Sequence, residues 1–266
     1  MRRSCVIFGK KIFQVLSKPC KSSHPFSLYV LLALVLLVCQ TSWSQEKHRV
    51  YLIPGQGSDF RVFDSLKLDA ALFDTTHVHF ILPDRKESML DYARRMSAQI
   101  DTSQNFSLIG VSLGGMISSE IMTFLKPMSV IIISSAACRK ELPVRYKFQR
   151  RIPLYAIVPK GLIKAGAFIL QPIFEPDRKT HKATFKAMLK AKDKRFLKRT
   201  VRMIIHWDKE ECATKVYHIH GDNDHTLPIK HISADVVIDH GSHMMTLTRA
   251  EEINPIIEQF LKDALD

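Results

Sequence analysis

The apolar run Phe106-Ser107-Leu108-Ile109-Gly110-Val111 passes without a spacer into Ser112-Leu113-Gly114-Gly115, and Met116–Leu125 continues as a helix. A strand that becomes a helix within so few residues holds its turning residue in a strained backbone conformation. Side chains two positions to either side of it would strike neighbouring main chain, and glycines at 110 and 114 remove that conflict. The helix that follows points its first N–H groups back at the turn, so negative charge developing there is favoured.

The rest of the chain supplies the frame such a turn requires. Val50–Ile53 reads as a buried strand ended by Pro54-Gly55, and Val78–Leu82 as a second strand stopped by Pro83. Residues 87–100 place Met89, Tyr92, Ala93, Met96 and Ile100 at helical spacing. Val130–Ile133, Val216–Ile219 and Val236–Ile238 are further short apolar runs, and Ala250–Leu261 closes as a helix. Strands alternating with helices predict an α/β fold: a mostly parallel, doubly wound sheet of about six strands with right-handed crossovers. Residues 139–210 break the alternation. They are helical in pattern, cut by Pro143, Pro153, Pro159, Pro172 and Pro176 before a longer helix near 180–206, and are expected to form a helical cap inserted into the body at 45–266.

The N-terminus reads as a targeting segment. Arg2, Arg3, Lys10, Lys11, Lys18 and Lys21 precede the apolar run 26–38, which is shorter than the roughly 20 residues that span a bilayer. Ser42 and Ser44 suit cleavage between Ser44 and Gln45, giving an exported, periplasmic or secreted protein. An uncleaved membrane anchor at 26–38 is the alternative. Cys39 is discounted as a lipid-attachment site because bulky Val38 stands where a small residue is expected. Of the five cysteines only Cys138 and Cys212 follow the leader. They could pair in an oxidising compartment, but two cysteines make no disulfide framework, and small apolar side chains are the simpler reading.

The formal charge of +13 is unevenly spread. Nineteen Lys/Arg against four Asp/Glu fall within 139–202, and the leader holds six more bases and no acid, so the remainder carries −8. An acidic body with a basic insert is not a uniformly basic nucleic-acid binder, and no recognised nucleic-acid motif accompanies the patch.

Gly110-Val111-Ser112-Leu113-Gly114 makes Ser112 the candidate nucleophile, which needs a base to take its proton. His243, in Asp239-His240-Gly241-Ser242-His243, follows the last strand. The acid follows the fifth, in His220-Gly221-Asp222-Asn223-Asp224. The order Ser112, Asp224, His243 suits a serine hydrolase whose loops converge at the C-terminal edge of the sheet. Asp222 competes with Asp224 and His240 with His243. His218, His220, His225 and His231 could suggest a metal, but no H-E-x-x-H pattern exists, and neither metal nor cofactor is expected.

This pattern resembles the α/β-hydrolase superfamily over nearly all of 49–263, and most of all compact bacterial hydrolases with a P-G-x-G segment after the first core strand. Pro54-Gly55-Gln56-Gly57 matches that segment. The resemblance implies an oxyanion hole formed by the backbone N–H of Gln56 and of Leu113. It favours Asp224, through its spacing from His220-Gly221 and Pro228, and His243, through Gly241. The first two strands of the full eight-stranded family sheet have no counterpart here. The implied activity is hydrolysis of a carboxylic ester or thioester, small or lipid-like, through an acyl-enzyme on Ser112. An amidase or peptidase with the same triad, and a non-catalytic binding protein on this fold, are the other readings.

In the family an insertion at this point covers the site. Here its apolar runs 154–158 and 167–170 suit an acyl pocket, and its positive charge suits an anionic membrane surface. Lys182, Lys186, Lys190, Lys194 and Lys198, four residues apart, also fit a plain solvated helix face.

Overall fold

The computed structural model describes residues 46–174, 178–212 and 215–265, so the leader and its processing site lie outside the described residues. Six strands, β1 (His48–Ile53), β2 (Phe73–His77), β3 (Phe106–Val111), β4 (Ser129–Ile133), β5 (Tyr217–Gly221) and β6 (Val236–Ile238), form one sheet in the order β2-β1-β3-β4-β5-β6. Every pairing is parallel, with Ile53 beside Gly110 and Val111 beside Ile133 at the C-terminal edge.

The expected parallel sheet is therefore present, and its central strands are apolar on both faces because both are covered. Successive residues of β1, β3 and β4 alternate between two cores. Tyr51, Ile53, Leu108, Val130 and Ile132 pack against α1 (Met89–Met96) and α2 (Leu113–Ile121). Val50, Leu52, Ile109, Val111, Ile131 and Ile133 pack against Met245 and Leu247 of α8 (Met245–Thr248) and against Ile253, Ile257 and Leu261 of α9 (Ala250–Asp263). Ile131 and Ile132 are wholly buried, one in each core, and truncating either to Ala removes about 2–5 kcal/mol. α1 starts where Ser88 Oγ accepts from Asp91 N–H, a side-chain cap that satisfies one of the helix's free donors.

The second strand departs from the sequence reading. It is Phe73–His77, a polar edge strand, and not Val78–Leu82. The run leaves the sheet just past His77: Val78 N–H still donates to Leu52 O of β1 at 2.9 Å and its side chain is buried, and Phe80 then packs on Phe196 with ring centres 5.0 Å apart. Phe80 and Leu82 turn to the cap, beside Lys192 and Phe196, a use of hydrophobicity that a search for sheet strands cannot distinguish.

Between β4 and β5 lie α3 (Val144–Arg151), the short α4 (Leu154–Ile157), α5 (Lys160–Phe174), α6 (Lys182–Ala191) and α7 (Lys194–Ile205). Pro143 and Pro153 stand directly before helices, where a missing N–H costs nothing, whereas α5 runs through Pro172. The single long helix expected near 180–206 is two. Lys192 is extended, and Asp193 caps α7 by accepting from Arg195 N–H at 2.6 Å. Cys138 and Cys212 are not separate apolar side chains but a disulfide, with Cα atoms 4.6 Å apart across 74 residues. They meet because both ends of the insert return to one point on the body. Arg139 N–H donates to Lys209 O at 2.8 Å beside them, and the Arg139 side chain pairs with Glu210.

Candidate active site

Ser112 occupies the turn between β3 and α2 with φ 53° and ψ −118°, a left-handed conformation that a side chain adopts only under constraint. The constraint is visible. Ser112 N–H donates to Ile133 O on the neighbouring strand, and Ser135 Oγ donates to Ser112 O at 2.6 Å. A Cβ on Gly114 would lie 2.1 Å from Ile53 O, so only glycine lets the first turn of α2 press on the end of β1.

A second close approach brings the loops of Asp224 and His243 together. A Cβ on Gly221, at the end of β5, would lie 2.1 Å from Gly241 O, and Asn223 N–H donates to that same carbonyl at 3.1 Å. With the loops held in contact, His243 Nδ1 sits 2.7 Å from Asp224 Oδ2, and His243 Nε2 sits 2.8 Å from Ser112 Oγ. A carboxylate only accepts, so Nδ1 carries the proton, and Nε2 is left to accept from the serine hydroxyl.

Asp224 is held from every side. Its Oδ1 accepts from Thr226 N–H and Leu227 N–H, both at 2.8 Å, and its Oδ2 takes His243. His220 Nε2 stands 3.4 Å from Oδ2 and 2.7 Å from Leu227 O. Burial alone would raise this carboxyl, but the facing His243, His220 and the Leu227 amide outweigh it and hold it below its ordinary value. Behind it, burial pushes the His220 imidazole down and the His218 imidazole down to about 3, so both are neutral at pH 7. The Leu227 carbonyl fixes the proton of His220 on Nε2, and its Nδ1 then accepts from His218 Nε2 at 3.2 Å.

The two competitors lie elsewhere. Asp222 and His240 are both exposed, grouped with exposed Asp239, and neither reaches Ser112 or its partners among the described contacts. His225 is likewise exposed.

Above the serine is a cavity of about 220 Å³. Gly55, Gln56, Ser112 and His243 line its floor. Met116, Tyr146, Ala167, Phe185, Leu189 and Ile204 form apolar walls, all but Met116 contributed by the cap. Among the described residues no carboxylate or ammonium group lines it. Leu113 is the first residue of α2, where an N–H has no carbonyl of its own helix to bond. In the opposite loop, Gly55 N–H is occupied by Ser58 Oγ at 2.9 Å, and a Cβ on Gly55 would come within 3.2 Å of the Ser112 Cβ, so the loop runs against the serine.

The sequence reading treats Gln56 through its backbone alone, yet its side chain also has partners. Nε2 donates to Thr200 Oγ1 at 2.6 Å and to Leu197 O at 3.2 Å, both on α7. Thr200 and Ser135 are absent from the sequence-derived site. Neither sits in a motif, because both act through contacts made across the fold. His220 is visible in sequence as part of His220-Gly221, but not as the buried neighbour of the acid.

Solved structures superpose on most of the chain. An esterase from Thermogutta terrifontis matches with a TM-score of 0.60 at 13% identity, over 82% of this chain and 90% of its own. A hydrolase from Pseudomonas aeruginosa matches with a TM-score of 0.61 at 16% identity, over 82% and 91%. The chain has the α/β-hydrolase fold. An enol-lactonase from Burkholderia xenovorans shares that fold with a TM-score of 0.59 at 16% identity, over 83% of this chain and 94% of its own. No protein-family model matches the sequence, and no curated protein matches it. In this fold the Ser112 turn ends the third strand of the sheet, and the loops carrying Asp224 and His243 follow its last two.

Proposed function

We propose that the protein is a serine hydrolase that cleaves a carboxylic ester or thioester through an acyl-enzyme on Ser112. The observation that carries this reading is the continuous line Asp224 Oδ2, His243, Ser112 Oγ at 2.7 and 2.8 Å, opening into an apolar cavity. The similar folds include an esterase and an enol-lactonase, which supports an ester-type substrate.

His243 Nε2 takes the hydroxyl proton as Ser112 Oγ attacks the substrate carbonyl carbon, and Asp224 steadies the imidazolium that forms. The oxyanion takes the N–H groups of Gln56 and Leu113. Losing one such donor costs about 10²–10³ in rate. The bond from carbonyl carbon to the leaving oxygen or sulfur then breaks, and His243 returns its proton to that atom. In the second half, His243 takes a proton from water as the water attacks the acyl carbon, and Ser112 Oγ leaves with that proton. The cavity is smaller than the roughly 300–1,000 Å³ of drug-sized sites and has no charged wall among the described residues, which fits one short, uncharged acyl chain.

A fluorophosphonate probe labels the wild type and not Ser112→Ala, and p-nitrophenyl esters of short chains are turned over at least about 10⁴-fold faster by the wild type. A folded wild type that neither labels nor hydrolyses any ester of graded length defeats the proposal and leaves a binding protein on this fold.

A further inference from the structure

Large apolar side chains are unevenly exposed over this molecule. Twelve are exposed among the described residues, and seven of them fall between 144 and 169: Val144, Phe148, Ile152, Leu154, Ile157, Leu162 and Ile169. Ile157 is 81% exposed, Ile169 73% and Val144 67%. Scattered single exposures are ordinary, but such a concentration in one short stretch is not.

Helical geometry shows that the exposure has two sides. On α5, Ile163, Ala167 and Phe168 pack partly buried against the core, while Leu162, Ala165 and Ile169, at i, i+3 and i+7, form an outward stripe. Over 162–169 the helix is therefore apolar both inwards and outwards. A surface helix of a water-bathed protein keeps its outer face polar. On α3, Val144 and Phe148 share an exposed face in the same way, whereas Tyr146 of that helix lines the cavity above Ser112.

Charge narrows what this face can meet. Residues 142–174 hold six Lys/Arg and no acid. Arg150 pairs with Asp208 from outside the segment, and Lys164 and Lys147 reach backbone carbonyls, which leaves their charge in place. Arg151 and Lys160 are exposed beside the apolar residues. Among the described residues no helix is long and apolar enough to cross a membrane, so the face suits contact from one side.

We infer that α3, α4 and α5 form a docking face for an anionic lipid bilayer, with Ile157 and Ile169 entering the acyl boundary and Arg151 and Lys160 meeting lipid headgroups. Docking sets Tyr146 and Ala167, which line the cavity, on the helices nearest the lipid. The attachment does not depend on the ester-hydrolase reading; only the supply of substrate from the bilayer does.

The test uses the body from Gln45 to Asp266, since residues 47–266 form a compact unit of their own and both apolar cores described lie within 50–261. Flotation with phosphatidylglycerol–phosphatidylcholine vesicles is compared with pure phosphatidylcholine vesicles. The body binds the anionic vesicles at least about tenfold more tightly, and binding weakens with salt. Ile157→Ser with Ile169→Ser lowers it at least about tenfold. Arg151→Glu with Lys160→Glu does the same, at about fivefold or more per charge removed. Both double variants keep the wild-type circular dichroism and turn over a short soluble ester within about twofold of it. Equal or absent binding to the two vesicle types by the folded body overturns the inference, as do double variants that bind like the wild type. So does a dimer in sedimentation velocity that Ile157→Ser and Ile169→Ser dissolve, which would make the face a contact between copies. Vesicle binding without hydrolysis of any ester leaves the docking face standing and removes the ester reading.

Discussion

The floor of the site and the outer face of the cap handle their difficult groups in opposite ways. At the floor, a buried carboxylate is met by two backbone N–H groups and two imidazoles, all supplied by the same stretch of chain or the loop touching it. On the cap, apolar side chains such as Ile157 and Ile169 stand in the open, with nothing among the described residues to cover them. The floor is satisfied from within the chain, whereas the outer face of the cap is the surface for which a lipid counterpart is proposed above.

The largest effects separate the two carboxylates that the sequence cannot rank without the family resemblance. Asp224→Asn leaves the hydrogen-bonded loop but presents the wrong partner to His243 Nδ1, and kcat on a short ester falls about 10⁴-fold. Asp222→Asn, at an exposed position, changes it less than about twofold. Comparable losses in both variants would mean that Asp224 is not the orienting acid.

Two glycines set the floor against the cap in stability. Gly221→Ala drives a methyl into Gly241 O, and the only relief is to part the loops that carry Asp224 and His243. We expect a loss of at least about 3 kcal/mol together with most activity. Gly166→Ala, on α5 with nothing within 4 Å of the new carbon, stabilises by about 0.5–1 kcal/mol through helix propensity alone. Denaturant midpoints measure both. A Gly221→Ala variant as stable as wild type would show that the loops are not locked at that point.

These contrasts follow what the sequence can and cannot express. β3, β4 and the closing helix are legible because continuous apolar runs and helical spacing are local, and the serine turn because two glycines and a helix start must sit beside it. β2 lies several residues before the run that the pattern selects, because the edge strand Phe73-Asp74-Thr75-Thr76-His77 is polar while Phe80 and Leu82 of the apolar run turn to the cap. The division of 180–206 at Lys192-Asp193 is hidden because the lysine spacing runs straight through it. The pairing of Cys138 with Cys212 depends on where both ends of a long insert return, which no spacing encodes. The outward apolar stripe of α5 is equally silent in sequence, since a buried helix and an exposed apolar one read alike.

A smaller effect tests the buried histidines behind the acid. Burial holds His218 at about 3, against an ordinary value of 6.5, and lowers His220 in the same direction. A histidine depressed in the fold is neutral there while the unfolded chain takes up the proton first. Its contribution to stability is therefore intact above about pH 6.5 and is lost as pH falls from there towards 3. At about pH 5 His218 alone removes about 2 kcal/mol relative to about pH 7.5, or about 4–8 °C in Tm for a body of this size. Thermal melts across that range measure the slope, and His218→Asn flattens it. Wild-type and His218→Asn curves of equal slope would place the acid sensitivity elsewhere.

The smallest effect probes where cap and floor touch. Gln56 Nε2 donates to Thr200 Oγ1, so a residue of α7 holds the side chain of a proposed oxyanion donor. Thr200→Val keeps the shape and removes the acceptor, leaving only the longer bond to Leu197 O. If Thr200 positions the loop, kcat falls about tenfold while KM moves less than about twofold, because an oxyanion interaction is stronger in the transition state than in the bound substrate. Thr200→Ser restores the hydroxyl and returns kcat to within about twofold of wild type. A merely structural threonine behaves differently: Thr200→Val then lowers Tm with kcat and KM unchanged. In that case the cap shapes the cavity without steadying the chemistry, and the floor is self-sufficient in its oxyanion loop as it is in its acid.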